Sequence, residues 1–326
     1  MRSTALGSKG PQVGAIGLGC MGMTHAYDPA GRDDAVSAAV VREAVELGVT
    51  LIDTADVYGP FTNEELVGKA LAEAPGGGLR DRVVLATKVG LTFAGGNLGS
   101  TGDLVRNGRP EHVRAAIDAS LRRLRTDRVD LYQLHRVDPE VPIEETWGAL
   151  AEAVAAGKAL RIGLSEVSVA EIARAQAVHP VASVQSELSL WTRDALAEVL
   201  PYCEREGIAF LPFSPLGRGF LTGSIGSVDD LPADDWRRTL PRFQAGAVAA
   251  NQALVQAVRT IAERHGATPA QVALAWVLAQ GRYVVPIPGT KTPKYLADNA
   301  GAAEVALTAE DLARLDALPA PTGTRY

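Results

Sequence analysis

The chain is poor in the residues that mark the simplest functional classes. Its two cysteines, Cys20 and Cys203, lie far apart and match no zinc or redox spacing. Two free thiols in a reducing compartment are therefore expected. The five histidines, His25, His112, His135, His179 and His265, form no H-x-H or H-E-x-x-H pattern. That argues against a metal-dependent hydrolase. Basic residues are outnumbered, 32 Lys and Arg against 38 Asp and Glu, so no basic footprint points to nucleic acid. No apolar run is long enough to span a bilayer. Met1-Arg2-Ser3-Thr4 opens no secretory apolar core, and the cytoplasm is the expected location. No low-complexity linker divides residues 1–326, so one domain is expected.

What the chain does contain is a regular alternation. The Gly-rich opening up to about Gly14 reads as a hairpin or cap. Eight short apolar runs follow: Ala15–Leu18, Leu51–Asp53, Val83–Thr87, Val129–Leu134, Leu160–Leu164, Val181–Gln185, Ala209–Phe213 and Val284–Ile287. They lack strict polar alternation, as expected of parallel strands covered on both faces. Helical spacing fills the intervals, over 33–47, from Thr62, from Pro110, and over 144–155, 169–178 and 194–206. Thr62 with Glu65 reads as a capping box, and Gly48, Gly157 and Gly207 as helix stops. After the seventh run comes a long irregular stretch to about Gly246, holding Phe220, Trp236 and Phe243; it suits a lid. Two helical segments follow, the second opened by Thr268-Pro269, and further helices start at Thr292 and Thr308. Eight such units predict an α/β fold, a (β/α)8 TIM barrel with an N-terminal hairpin cap and a long loop after strand 7.

In such a barrel the strand ends and following loops form the active face. Asp53 ends the second run, Lys88 the third and His135 the fourth, while Tyr58 lies in the loop after the second. Each alone has a bland explanation: a turn former, a surface aromatic, a stabilising ion pair. Together they suit proton donation to a carbonyl. A free phenol has a pKa near 10. An ammonium at ~4 Å and effective dielectric ~20 contributes about 4 kcal/mol, or roughly three pKa units toward the phenolate. Lys88 is expected to lower the Tyr58 pKa in this way, Asp53 to hold Lys88 charged, and His135 to donate to the developing oxyanion.

The ordered set Ile52-Asp53-Thr54-Ala55-Asp56-Val57-Tyr58-Gly59, Thr87-Lys88, Leu131-Tyr132-Gln133-Leu134-His135, Gly163-Leu164-Ser165, Phe213 to Gly219 and Pro286 to Lys291 resembles the aldo-keto reductases, in particular a pyridoxal-reductase-like bacterial and fungal branch. The resemblance covers nearly the whole chain. It implies NADPH-dependent reduction of a small-molecule carbonyl substrate, with catalytic roles on Asp53, Tyr58, Lys88 and His135. It implies cofactor contacts by Met21, Gly22 and Asp53; by Ser165 and Gln185 at the nicotinamide carboxamide; and by Ser214, Leu216, Gly217, Arg218 and Gly219 at the pyrophosphate. Gly289, Thr290 and Lys291 precede a helix N-terminus, which attracts anions. Lys291 would pair with a 2′-phosphate, favouring NADPH over NADH, and Asp298 and Asn299 would contact the adenine.

Glu166 departs from the pattern, since the family usually has Asn there; a carboxylate cannot donate to the carboxamide carbonyl. Gly17-Leu18-Gly19-Cys20-Met21-Gly22 satisfies G-x-G-x-x-G, but Pro29 and Gly31 precede the next helical spacing. A tight first loop beneath the nicotinamide is the preferred reading over a Rossmann turn. Tyr27, Phe93, Trp191, Phe220 and Trp236 are the aromatic candidates for substrate walls. The rival from another class is a cofactor-sensing regulatory subunit on the same barrel.

Overall fold

The structure is a computed structural model and describes residues 1–74, 76–94 and 104–325. The chain opens with an antiparallel hairpin, β1 (Ser3–Ala5) and β2 (Gln12–Gly14). Parallel strands then alternate with helices: β3 (Leu18–Gly19), α1 (Asp34–Glu46), β4 (Leu51–Asp53), α2 (Thr62–Ala72) and β5 (Val84–Val89). A second antiparallel pair, β6 (Leu91–Phe93) with β7 (Leu104–Arg106), comes after β5. There follow α3 (Pro110–Leu124), β8 (Val129–Leu134), α4 (Ile143–Ala155), β9 (Ala159–Ser165), α5 (Val169–Gln176), β10 (Ser183–Glu187), α6 (Val199–Glu206) and β11 (Ala209–Phe213). The chain continues through short 3₁₀ turns to α7 (Ala245–His265), α8 (Pro269–Leu278), α9 (Pro293–Gly301) and α10 (Ala309–Asp316).

The parallel sheet runs in the order β11-β10-β9-β8-β5-β4-β3. The eighth expected strand, over 284–287, is present as barrel closure without a regular ladder. Val285 and Ile287 donate to Phe210 and Pro212 on β11, while Gly17 and Gly19 donate to Pro286 and Pro288 on the other side. Only isolated bridges, Phe210 with Val284 and Gly19 with Gly289, complete the pattern. The reason is chemical: Pro212 and Pro288 stand where the next ladder donors belong, and proline has none. The fold is a (β/α)8 barrel.

Two cores follow from strand parity. Leu51, Val84, Ala86, Leu131, Ala209, Leu211, Val285 and Ile287 fill the barrel interior, and Leu6 and Val13 of the hairpin region join them. Ile52, Leu85, Val89, Tyr132 and Leu134 face the helices instead. Inward parity therefore continues from Leu51 to Asp53, from Ala86 to Lys88, and from Leu131 through Gln133 to His135. The polar residues at these positions point into the barrel where its apolar filling ends.

Several local expectations need correction. Thr62 does not cap α2. It is the first helical residue, Phe61 precedes it in a left-handed conformation (φ 67), and the Thr62 hydroxyl donates to Gly59 O at 2.6 Å. Of Ala15–Leu18, only Leu18 is paired as strand, together with Gly19, whereas Ala15 and Ile16 pack against Leu274, Ala302 and Ala303. The helix expected over 194–206 is split into a 3₁₀ turn, Asp194–Leu196, and α6. The capping box at Thr268 with Gln271 is present, with Pro269 at the first turn. No α-helix opens at the G-x-G-x-x-G stretch, and α1 begins only at Asp34. Its glycines serve barrel closure: a Cβ on Gly19 would lie 2.8 Å from Ile287 O.

Candidate active site

The loop after β4 is shaped to carry a side chain back over the barrel mouth. Thr54 N donates to Ala86 O, Tyr58 N to Ala55 O and Phe61 N to Asp56 O, so the loop coils on itself. Gly59 makes the reversal at φ 78; a Cβ there would meet Thr62 Oγ1 at 2.3 Å and Thr24 Oγ1 at 2.5 Å. Asn63, fully buried, ties the loop to its neighbour. Its Oδ1 accepts from Thr54 Oγ1 at 2.6 Å, and its Nδ2 donates to Cys20 O at 2.9 Å and Thr24 Oγ1 at 2.8 Å.

The four residues expected at the mouth converge. Lys88, fully buried, spends its three donors on Asp53 Oδ1 (2.5 Å), Thr54 O (2.9 Å) and Tyr58 Oη (3.3 Å). Asp53 Oδ2 accepts from Gln185 Nε2 at 2.9 Å and Gln133 Nε2 at 3.2 Å. The His135 ring lies edge-on to Tyr58 with centroids 5.8 Å apart, and His25 stacks on the other side at 6.1 Å. The loop geometry and inward parity thus place a phenol, an ammonium, a carboxylate and an imidazole around one point.

The electrostatics sharpen the roles and overturn one expectation. The Tyr58 pKa is raised rather than lowered: burial disfavours the phenolate by more than Lys88 favours it, and Asp53 adds to the rise. The phenol is held protonated, as a proton donor must be. Burial pulls the Lys88 pKa down, but Asp53 and then Tyr58 override it, so the ammonium stays charged. The His135 pKa is pushed well below its ordinary value by burial, then by Lys88 and Arg136. The imidazole is neutral and keeps one ring N–H to donate. Its Nδ1 is buried without a hydrogen-bond partner among the described residues.

Tyr58 and His135 open into a cavity of about 1060 Å³. Met21, Gly22, Asp53, Ser165 and Gln185 line it near the four residues. Ser214, Leu216, Arg218 and Gly219 form a second wall. Gly289, Thr290, Lys291, Asp298 and Asn299 line a third region, around the N-terminus of α9. Gly217 is outside the lining; it sits in left-handed backbone (φ 56) beneath Trp191. Gln185 is already committed through its Nε2 to Asp53, and Arg218 Nη2 lies 3.4 Å from Glu187 Oε2. Lys291 Nζ reaches across to Asp28, 2.8 Å from its carbonyl and 3.0 Å from Oδ2. Glu166, in left-handed backbone (φ 53), accepts from Glu187 N at 2.9 Å and pairs with Arg325 at 2.8 Å.

Of the five aromatic candidates, Tyr27 and Trp236 line the cavity. Trp191 and Phe220 are core instead, stacked 4.4 Å apart with Phe243 packed edge-on against both. Phe93 belongs to a small cluster with Ala55 and Val57. The irregular segment after β11 does border the cavity, through Thr222, Ser224, Trp236 and Arg237. Sequence reasoning passed over His25, Gln133, Arg136 and Phe213. The parity of β8 and β11 was the signal available for Gln133 and Phe213, and the position after His135 for Arg136.

The donor set fits a dinucleotide phosphate. Lys291, Lys294 and Arg218 supply positive charge, and α9 presents a first turn with no side-chain cap to the same cavity. Among the described residues no cluster of His, Cys, Asp and Glu is arranged to hold a metal ion, and no helix is long and apolar enough to cross a membrane.

Comparison with known proteins points the same way. The profile of the aldo/keto reductase family matches residues 15–320. A soybean (Glycine max) protein named "Probable aldo-keto reductase 1" is 46% identical over 316 residues, spanning 96% of this chain and 88% of that one. The structure of the glycerol dehydrogenase of Gluconobacter oxydans superposes with TM-score 0.83 at 30% identity, covering 96% of this chain and 94% of that chain. A thermostable aldo-keto reductase crystallised with the inhibitor epalrestat gives TM-score 0.76 at 29% identity, covering 97% and 99%. The chain belongs to the aldo/keto reductase family.

Proposed function

We propose that the chain reduces aldehydes and ketones to alcohols with NADPH, and that Tyr58 is the general acid. The observation that carries the reading is the Tyr58 hydroxyl, 3.3 Å from a fully buried ammonium and edge-on to a neutral imidazole at the mouth of a large cavity. The bound nicotinamide supplies the hydride. The protein positions the carbonyl oxygen between two donors, the Tyr58 O–H and a ring N–H of His135. Negative charge gathering on that oxygen draws the proton from Tyr58, and Lys88 stabilises the phenolate left behind. Asp53 keeps Lys88 charged and aimed, and the two glutamines hold Asp53 in turn. The Tyr58 pKa is raised by burial, so the acid stays loaded throughout the neutral range.

The preference for NADPH rests on Lys291 and Lys294 beside the N-terminus of α9. A fluorescence titration with NADPH and NADH, followed by steady-state turnover over a panel of aldehydes and ketones, tests the reading. Tighter NADPH binding with turnover of at least one carbonyl class is expected. Nucleotide binding with no turnover across the panel would favour a sensing role instead.

A further inference from the structure

We infer that Arg136 is a specificity-determining residue and that the preferred carbonyl substrates carry an anionic group, a carboxylate or a phosphate monoester. The inference rests on the reductase reading above. Arg136 follows His135 directly and lines the same cavity as Tyr58 and His135. Its Nη1 donates to His135 O at 2.6 Å and to Ser165 Oγ at 3.1 Å, which fixes the plane of the guanidinium. Its Nε and Nη2 have no hydrogen-bond partner among the described residues, and no carboxylate there lies within ion-pair distance of it. A guanidinium fixed at one edge with donors left over matches a planar or tetrahedral oxyanion.

The surrounding charges do not cancel it. The cavity carboxylates are engaged elsewhere: Asp53 by Lys88, Asp28 by Lys291, and Asp298 by the Thr268 hydroxyl. Glu166 borders a small concavity shared with Arg136, but Arg325 and the Glu187 N–H hold it. Arg106 borders that concavity too, donates to Val137 O, and adds positive charge. On the neighbouring wall Arg237 pairs with Asp235 at 2.7 Å and Arg218 with Glu187 at 3.4 Å. The same cavity has an apolar wall, built from Val57, Leu91 and Leu104, the last two supplied by the paired strands β6 and β7. A substrate filling the cavity would rest its body on that wall and turn an anionic group to Arg136.

The test compares 4-formylbenzoate with its methyl ester, near-isosteric aldehydes that differ in charge, and adds 4-formylphenyl phosphate as the phosphate arm. In the wild type kcat/KM is expected to favour at least one anion over the ester by about 10- to 100-fold, the weight of one charge-assisted hydrogen bond. Arg136→Met should collapse that ratio mainly through KM, and Arg136→Lys should restore part of it. Which anion gains more distinguishes carboxylate from phosphate recognition. A wild-type ratio near one, or a ratio that survives in Arg136→Met, overturns the inference. So does a variant that loses NADPH affinity with the ratio intact, because Arg136 would then serve the cofactor. A wild type that binds NADPH and reduces none of the three overturns the inference together with the reductase reading.

Discussion

Replacing Lys88 by methionine isolates the charge from its volume. At 3.3 Å and an effective dielectric of about 20, the Lys88 ammonium favours the Tyr58 phenolate by ~5 kcal/mol. Asp53 opposes roughly half of that, so removing the charged pair together withdraws ~2–3 kcal/mol, or about two pKa units, and Lys88→Met alone, which leaves Asp53 in place, withdraws more. The Tyr58 pKa is already raised by burial, so Lys88→Met moves it further up. In the proposed mechanism carbonyl reduction uses the protonated phenol, active below its folded pKa and lost as pH rises through it. Alcohol oxidation uses the phenolate and behaves in the opposite way. The variant should therefore lose at least about 100-fold in kcat/KM for reduction. It should lose the oxidation rate even at the alkaline end of the accessible range.

The buried Asp53 left unpaired costs a further ~3–5 kcal/mol of stability, so the fold must be checked by thermal melting. The double variant Asp53→Asn/Lys88→Met removes the stranded charge and should recover stability without recovering rate. Reduction within tenfold of wild type in a folded Lys88→Met protein, with an unmoved pH profile, would refute the electrostatic reasoning.

Lys291→Ala should weaken NADPH about tenfold, the weight of one charge-assisted contact, and NADH much less; fluorescence titration reads both. Trp191→Ala empties a stacked core site packed against Gly217 and should cost ~3–5 kcal/mol in denaturant unfolding, with looser cofactor binding as a consequence. Asp311 is buried, which raises its pKa, but His265, Thr308 and Arg264 override this and bring it down to about 2. Its contribution is fully present above the ordinary aspartate value of ~3.9 and fades as pH falls toward 2. Asp311→Asn should therefore be less stable than wild type at pH 7, and the gap should close in acid unfolding.

The placement of Asp53, Lys88 and His135 at the barrel mouth was legible because parity is local. In Leu51-Ile52-Asp53 and in Ala86-Thr87-Lys88, every second residue faces inward, so an apolar filling ending in a charge reads directly as a charge at the mouth. The closing strand was legible as an apolar run with Pro288 at its end, but the part of its broken ladder that comes from Pro212 on β11 depends on which residues lie side by side, a tertiary matter. Burial is tertiary as well. The sequence places Lys88 beside Tyr58, but the loss of solvent around the phenol, which reverses the sign of its pKa shift, comes from packing by His25 and the first loop. Trp191 and Phe220 read as loop aromatics because nothing in their spacing reveals that they stack on each other and on Phe243. The Glu166 departure became intelligible only with Arg325, distant in sequence, set against it.

Tyr58→Phe bears most directly on the central claim, since it deletes one oxygen and keeps the ring between His25 and His135. The account predicts a kcat/KM for carbonyl reduction lower by at least ~10²–10⁴-fold, with the NADPH dissociation constant within a few-fold of wild type. Turnover at the wild-type rate in a folded, NADPH-binding Tyr58→Phe protein would contradict it.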